Sequence, residues 1–309
     1  MSVGESGRLG LDPGSTRGPV PLWRSYVALT KPRVIELLLV TTVPAMFVAA
    51  GGFPPLGTVL LTLLGGTLAA AGANVINQVY DRDIDALMVR TRQRPLVVGR
   101  IEPAHALAFG VGLSVASVIL LAATVNALSA VLAALAIAFY VFVYTMLLKR
   151  RTAQNIVWGG AAGCFPVLIG WSAVAGSLSP TPFVMFAIVF FWTPPHYWPL
   201  ALRFRADYRA ARVPMLPAVA DTSKVASAIV AYSWAMVVTS LLLTPVEGMG
   251  MLYTASAVLL GGAFLAEAYA LRRRVRAELA EIRAMRLFHG SISYLSLLFL
   301  AIAIDSVLK

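Results

Sequence analysis

Residues 57–85 read GTVLLTLLGGTLAAAGANVINQVYDRDID. The stretch 57–79 carries no charge, and a helix of about 20 such residues is enough to cross the hydrocarbon core of a bilayer. Three acids then follow within five positions, Asp81, Asp83 and Asp85, in a chain that has only 14 Asp and Glu in all. One stretch therefore reads as a membrane-spanning helix that ends in carboxylates at the membrane rim.

Working outward, eight further runs have the same apolar length. Together the nine lie at 34–53, 57–79, 104–122, 127–147, 155–174, 182–200, 225–244, 250–270 and 287–307. Gly, Pro or charge separates them, as at Gly51-Gly52-Phe53-Pro54-Pro55. The composition agrees: 59% of the residues are hydrophobic and 13% charged, with mean hydropathy +0.80. Soluble domains carry roughly 25% charged residues. The single cysteine, Cys164, sits in an apolar run, which excludes an internal disulfide and a thiolate metal cage.

Charge sets the orientation. If the N-terminus is inside, the inner segments are 1–33, 80–103, 148–154, 201–224 and 271–286. They hold five, five, three, five and six Lys or Arg, which is every one except Lys309. The positive-inside rule then places the N-terminus in the cytoplasm and the C-terminus outside, so the number of spans is odd. In a bacterium this is the cytoplasmic membrane. A net charge of +11 fits anionic lipid or an anionic ligand, not nucleic acid. Residues 1–24 read as a disordered cytoplasmic tail without the apolar core of a cleavable signal. Residues 25–309 read as one membrane domain.

On a continuing helix Asn77, Asp81 and Asp85 stand at i, i+4 and i+8, one stripe with steps of roughly 6 Å. Asn74 lies a turn earlier and Asp83 points away. Carboxylates with an amide oxygen are hard donors suited to Mg2+, which favours one or two carboxylates plus phosphate oxygens. Arg90, Arg92, Arg94 and Arg100 follow, and guanidinium groups grip phosphate in pairs of hydrogen bonds. The pattern describes a diphosphate site, and a solvated helix end of mixed charge is the plainer alternative. A second basic patch, residues 203–212, faces the same compartment. Its Asp207 is a candidate to complete the metal shell from an opposite wall, and Arg203 and Arg205 to hold phosphate. Arginines that only enforce topology remain open here. Lys149 and Arg150 end the fourth run. His196 follows Pro194-Pro195 in the sixth, as a candidate ligand or anchor for a prosthetic group. Glu36, inside the first run, is an ionisable group that would need a partner or a cavity.

At these residues the sequence resembles the UbiA-type intramembrane prenyltransferases, whose first acidic pattern N-D-x-x-D-x-x-x-D reads here Asn77-Gln78-Val79-Tyr80-Asp81-Arg82-Asp83-Ile84-Asp85. Gln78 replaces the first aspartate, and Asp207 stands largely alone where the second acidic motif usually has more acids. Within the family the resemblance is to the heme-modifying branch. It rests on Leu29-Thr30-Lys31-Pro32-Arg33-Val34, on Met88-x-Arg90-Thr91-x-x-Arg94-Pro95-Leu96, and on residues 144–152. Trp192-Thr193-Pro194-Pro195-His196-Tyr197-Trp198 and Val213-Pro214-Met215-Leu216-Pro217 extend it.

The resemblance implies an all-α integral membrane protein, a bundle of nine transmembrane helices around a central cavity. It implies transfer of farnesyl from farnesyl diphosphate to the 2-vinyl group of heme b with addition of water, giving heme O for terminal oxidases. Heme A synthase or the oxidase assembly would receive the product. The expected catalytic residues are Asp81, Asp85 and Asp207, and these with Asn77 are the expected Mg2+ ligands. Arg90, Arg94, Lys149, His196, Tyr197, Arg203 and Arg205 are the expected substrate contacts. Tyr80, Tyr197 and Trp198 are candidates to stabilise an allylic cation by cation–π contact. A prenyltransferase for an aromatic or quinone precursor is the nearest rival, and a membrane transporter is the rival from another class.

Overall fold

The structure is a computed structural model and describes residues 21–309, and of residues 33, 34 and 36–38 the backbone alone. Residues 1–20 of the expected tail and the side chain of Glu36 thus lie outside the described residues. The described residues form helices and no strand. In order these are α1 (Leu22–Thr30), α2 (Pro32–Ala50), α3 (Leu56–Tyr80), α4 (Arg82–Leu87), α5 (Pro103–Thr124), α6 (Ala127–Ala138), α7 (Asn155–Gly159), α8 (Phe165–Ala175), α9 (Pro180–Arg203), α10 (Arg205–Ala210), α11 (Leu216–Val219), α12 (Thr222–Glu247), α13 (Met251–Arg276) and α14 (Ala284–Leu308).

Seven of the described segments are long and apolar enough to span a bilayer: Leu56–Tyr80, Pro103–Thr124, Ala127–Leu148, Asn155–Ala175, Thr222–Glu247, Met251–Arg276 and Ala284–Leu308. α2 contributes a shorter apolar stretch, Leu39–Ala50. Their ends follow local chemistry. Proline opens α2, α5 and α9, where its missing N–H is no loss. Gly51, Gly176 and Gly248 close α2, α8 and α12 with φ near +60°. The outer faces keep large apolar side chains in the open: Leu60, Leu64, Val111, Val115, Ile119, Val131 and Leu135 are 46–62% exposed. Lipid removes the penalty that water would set on that surface.

Two spans are less regular than their apolar runs suggest. After Ala138 the helix continues as a π-helix, Phe139–Leu148. The run at 155–174 breaks into α7, a 3₁₀ turn (Gly160–Cys164) and α8. Gly159, Gly160 and Gly163 weaken the helix there and Pro166 restarts it. α3 packs mainly on α5, and α2 lies against both α8 and α14. α9, α12, α13 and α14 form the other half of the bundle around one large apolar core. Small residues let backbones approach: a Cβ on Gly72 of α3 would lie 2.3 Å from Ser114 Oγ of α5.

Candidate active site

α3 ends at Tyr80 and α4 begins at Arg82, yet the i→i−4 ladder continues across the join. Asp81 N–H donates to the Asn77 carbonyl and Asp85 N–H to the Asp81 carbonyl, both at 2.9 Å. The stripe expected from spacing is therefore built. Asn77, Asp81 and Asp85 are 2%, 0% and 3% exposed. Buried acids need partners, and here bases supply them. Lys149 Nζ pairs with Asp81 Oδ2, Arg94 Nη1 lies 2.5 Å from Asp85 Oδ2, and Lys31 Nζ donates to Asn77 Oδ1 at 2.9 Å. Asn77 Nδ2 donates to Asp81 Oδ2 (2.7 Å) and to Thr145 Oγ1 (3.0 Å). Burial first, then Arg94 and Lys149, hold the Lys31 ammonium down to about 7, against the opposing pull of Asp85 and Asp81.

The π-helix brings Lys149 and Thr145 to this cluster. Lys149 N–H donates to the Tyr144 carbonyl and Thr145 Oγ1 to the Tyr140 carbonyl, both five residues back. Such wide turns recur at functional sites. Gly159 admits the ring of Tyr144, since a Cβ there would stand 2.1 Å from Tyr144 Cδ2. Asp83 faces outward, as its position on the helix predicts. Arg150 holds it with two bonds of 2.7 Å, and these keep its carboxyl below the usual carboxylate range.

The opposite wall comes from α9 and α10. Asp207 Oδ2 accepts the Arg90 N–H at 3.4 Å, so the loop after α4 reaches across to α10. The Arg90 and Arg203 guanidiniums lie 5.8 and 5.9 Å from the Phe204 ring centre. Tyr208 OH donates to Tyr197 OH at 3.4 Å. Asn77, Asp81, Asp85, Arg94 and Lys149 thus form one bonded cluster, and Arg90, Arg203 and Asp207 meet around Phe204 where the loop after α4 reaches α10.

Arg205 turns away from it. Its guanidinium donates to the Ala220 carbonyl (2.5 Å) and Thr222 Oγ1 (3.1 Å), tying α10 to the start of α12. Trp198 is buried against Tyr232, and Tyr80 lies under Arg150. His196 stands on a different face of α9, stacked between Trp192 (4.2 Å) and Phe288 (4.7 Å). Its Nδ1 meets Ser291 Oγ at 2.7 Å, and Ser291 Oγ donates to the Phe288 carbonyl at 2.6 Å. Nδ1 is thus taken by Ser291, and Nε2 has no hydrogen-bond partner among the described residues.

Directly below the rim is a cavity of about 150 Å³. Asn74 and Tyr140 line it together with Gly66, Ala69, Ala70 and Ala73 of α3 and Ile137, Ala162 and Ile169 across from them. Tyr140 OH donates to Asn74 Oδ1 at 3.4 Å. Composition and spacing did not single out Lys31, Tyr140 or Tyr144 as site residues. The i, i+4 tyrosine pair just ahead of Lys149 is the signal that was available.

The residues present suit a divalent cation. Asp81 Oδ1 is buried without a hydrogen-bond partner, with Arg150 Nη2 3.6 Å away. Among the described residues no three His, Cys, Asp or Glu converge as an all-protein metal cage. Mg2+ needs no such cage where phosphate oxygens complete its shell.

A helical bundle with paired acids and bases at one rim and an apolar cavity beneath defines the class. The model of the UbiA prenyltransferase family matches residues 38–292, and the chain belongs to that family. It is similar to the proteins named protoheme IX farnesyltransferase of Streptomyces avermitilis and Streptomyces coelicolor. The first is 56% identical over 97% of this chain and 100% of the relative, the second 57% over 93% and 91%. In fold it is similar to a digeranylgeranylglyceryl phosphate synthase, with TM-score 0.75, 17% identity, and 93% and 99% of the two chains covered. A UbiA homologue of Archaeoglobus fulgidus bound to GPP and Mg2+ gives TM-score 0.67 at 19% identity, over 92% and 100%.

Proposed function

We propose that this protein transfers the farnesyl group of farnesyl diphosphate to the 2-vinyl group of heme b, with addition of water, releasing heme O and diphosphate. The observation that carries the reading is the junction of rim and cavity: Asn77 of the charged cluster stands one turn from Asn74, which lines the apolar cavity. A diphosphate headgroup on a prenyl tail has that two-part shape. The names of the relatives supply the acceptor.

Asn77, Asp81, Asp85 and Asp207 are the residues that would hold Mg2+, which supplies charge neutralisation for the leaving diphosphate. Arg90, Arg94, Lys149 and Arg203 bind the diphosphate oxygens and stabilise the charge that grows as the allylic C–O bond breaks. The small residues of α3 enclose the farnesyl chain and keep water from its cation. Tyr140, Tyr144 and Tyr197 flank that end, where ring faces stabilise positive charge. The vinyl carbon bonds to the farnesyl C1. Water then adds to the cation beside the porphyrin, leaving a hydroxyl and releasing a proton. His196, whose Nδ1 is taken by Ser291, is the heme anchor through Nε2.

In this reading α2 and α9 complete nine spans, with the N-terminus and the rim cytoplasmic and the C-terminus external in the cytoplasmic membrane. Heme A synthase or the oxidase assembly takes up the product. Membranes containing the protein, supplied with Mg2+, farnesyl diphosphate and either heme b or 4-hydroxybenzoate, should prenylate only the heme. Prenylated 4-hydroxybenzoate, or ion flux without diphosphate release, would overturn the assignment.

A further inference from the structure

The turn between α1 and α2 is held in an unusual shape. Lys31 has φ +53° and ψ +63°, the left-handed region that non-glycine residues rarely occupy. It also precedes Pro32, a position normally driven to extended backbone. Such conformations persist only where the surroundings impose them, and they gather at functional sites.

Here the surroundings are two amides of the acid-bearing helix. Gln78 Nε2 donates to the Leu29 carbonyl at 2.6 Å and Asn74 Nδ2 to the Thr30 carbonyl at 3.1 Å. Both carbonyls belong to the last turn of α1, where intrahelical donors run out. Gln78 is 2% exposed and Leu29 fully buried, so this is a packed joint. From it Lys31 extends its ammonium to Asn77 Oδ1, beside the Lys149–Asp81 pair. Asn74, Asn77 and Gln78 thus clamp one turn and receive its lysine. The clamp also gives a reason for the departure from the family pattern at Gln78: an amide can donate to the Leu29 carbonyl and an ionised carboxylate cannot.

We propose that Lys31 is a further diphosphate-binding residue for the donor substrate, and that Gln78 is not a metal ligand but the positioning residue that holds Lys31 over the site. This rests on the prenyl-transfer reading above. The ammonium reaches the rim from α1–α2, a wall that neither Lys149 nor Arg90 occupies. Three walls then close on the diphosphate.

The test uses the full-length protein in lipid nanodiscs and calorimetric binding of inorganic diphosphate with Mg2+, which needs no turnover. Lys31→Asn and Lys31→Gly keep a residue that accepts the left-handed turn and remove the charge. Each should weaken diphosphate binding by roughly tenfold or more, the scale of one lost charge-assisted hydrogen bond. The KM for farnesyl diphosphate should rise in step and the KM for heme b should hold. Lys31→Arg should restore most of the binding. Gln78→Glu should weaken binding by roughly threefold to tenfold, and should add little in a Lys31→Asn background, because the two act as one unit. Wild-type diphosphate affinity in both neutral Lys31 variants would overturn the ligand assignment. Full additivity of Gln78→Glu with Lys31→Asn would overturn the clamp. If the wild-type protein binds diphosphate through Lys31 and prenylates no acceptor, the functional reading fails and the Lys31 assignment stands.

Discussion

Asp81 is fully buried, accepts from Asn77 and Lys149, and leaves Oδ1 without a hydrogen bond. A carboxylate kept in that state is poised for a further positive partner. Asp81→Asn should therefore lower prenyl transfer by roughly a hundredfold or more, the scale of losing one transition-state charge contact. Asp83→Asn, two residues on, should stay within about threefold in the same turnover assay, since Asp83 is exposed and bound outward to Arg150. Equal losses at both positions would refute the division of roles. His196→Ala should weaken heme b binding, read by the Soret shift on titration, and leave the KM for farnesyl diphosphate unchanged. Heme affinity equal to wild type would remove His196 from the acceptor site. At this scale the acids were legible because their spacing along one helix is local information. Lys31, Tyr140 and the outward turn of Arg205 were not. Each depends on which helix lies opposite, and no periodicity within one segment encodes that.

The clearest case at the scale of an element lies at the other end of the bundle. Asp305 of α14 is 3% exposed and accepts the backbone N–H groups of Gly250 (2.6 Å) and Tyr253 (3.1 Å). It caps the start of α13 from a neighbouring helix, where orphan N–H groups and the helix dipole favour a negative charge. Asp305→Ala should cost about 1–3 kcal/mol by leaving those donors buried and unpaired. The thermal midpoint in detergent should fall, and turnover at low temperature should persist. An unchanged midpoint would show that the cap contributes nothing. The apolar runs located the helices well because lipid demands a fixed length of uncharged chain. They could not reveal the π-helix at Phe139–Leu148 or the break at Gly160–Cys164. Both keep the same apolar composition and change only the hydrogen-bond register.

For the whole molecule, charge and chemistry fall in the same stretches of sequence. Every Lys and Arg except Lys309 falls in the segments assigned inside, and the acids of the site fall there too. Some basic residues of those segments pair with the acids of the site and others, such as Arg205, do not, and only the folded chain separates the two. Sequence gave no means of sorting them, since Arg203 and Arg205 differ by two positions and end up on different partners. A cysteine placed at the C-terminus of a Cys164→Ala protein should react with a membrane-impermeant thiol reagent in intact cells. One in the N-terminal tail should react only after lysis. The reverse pattern would invert the proposed orientation. The central claim is that this charged rim drives prenyl transfer to heme. Its most direct test is the mass spectrum of heme recovered after the purified protein is incubated with Mg2+, farnesyl diphosphate and heme b, with Asp81→Asn run alongside. Heme O with matching diphosphate release from the wild type, and unmodified heme b from Asp81→Asn, is the predicted result. Unmodified heme b from the wild type, or heme O from Asp81→Asn at the wild-type rate, would contradict it.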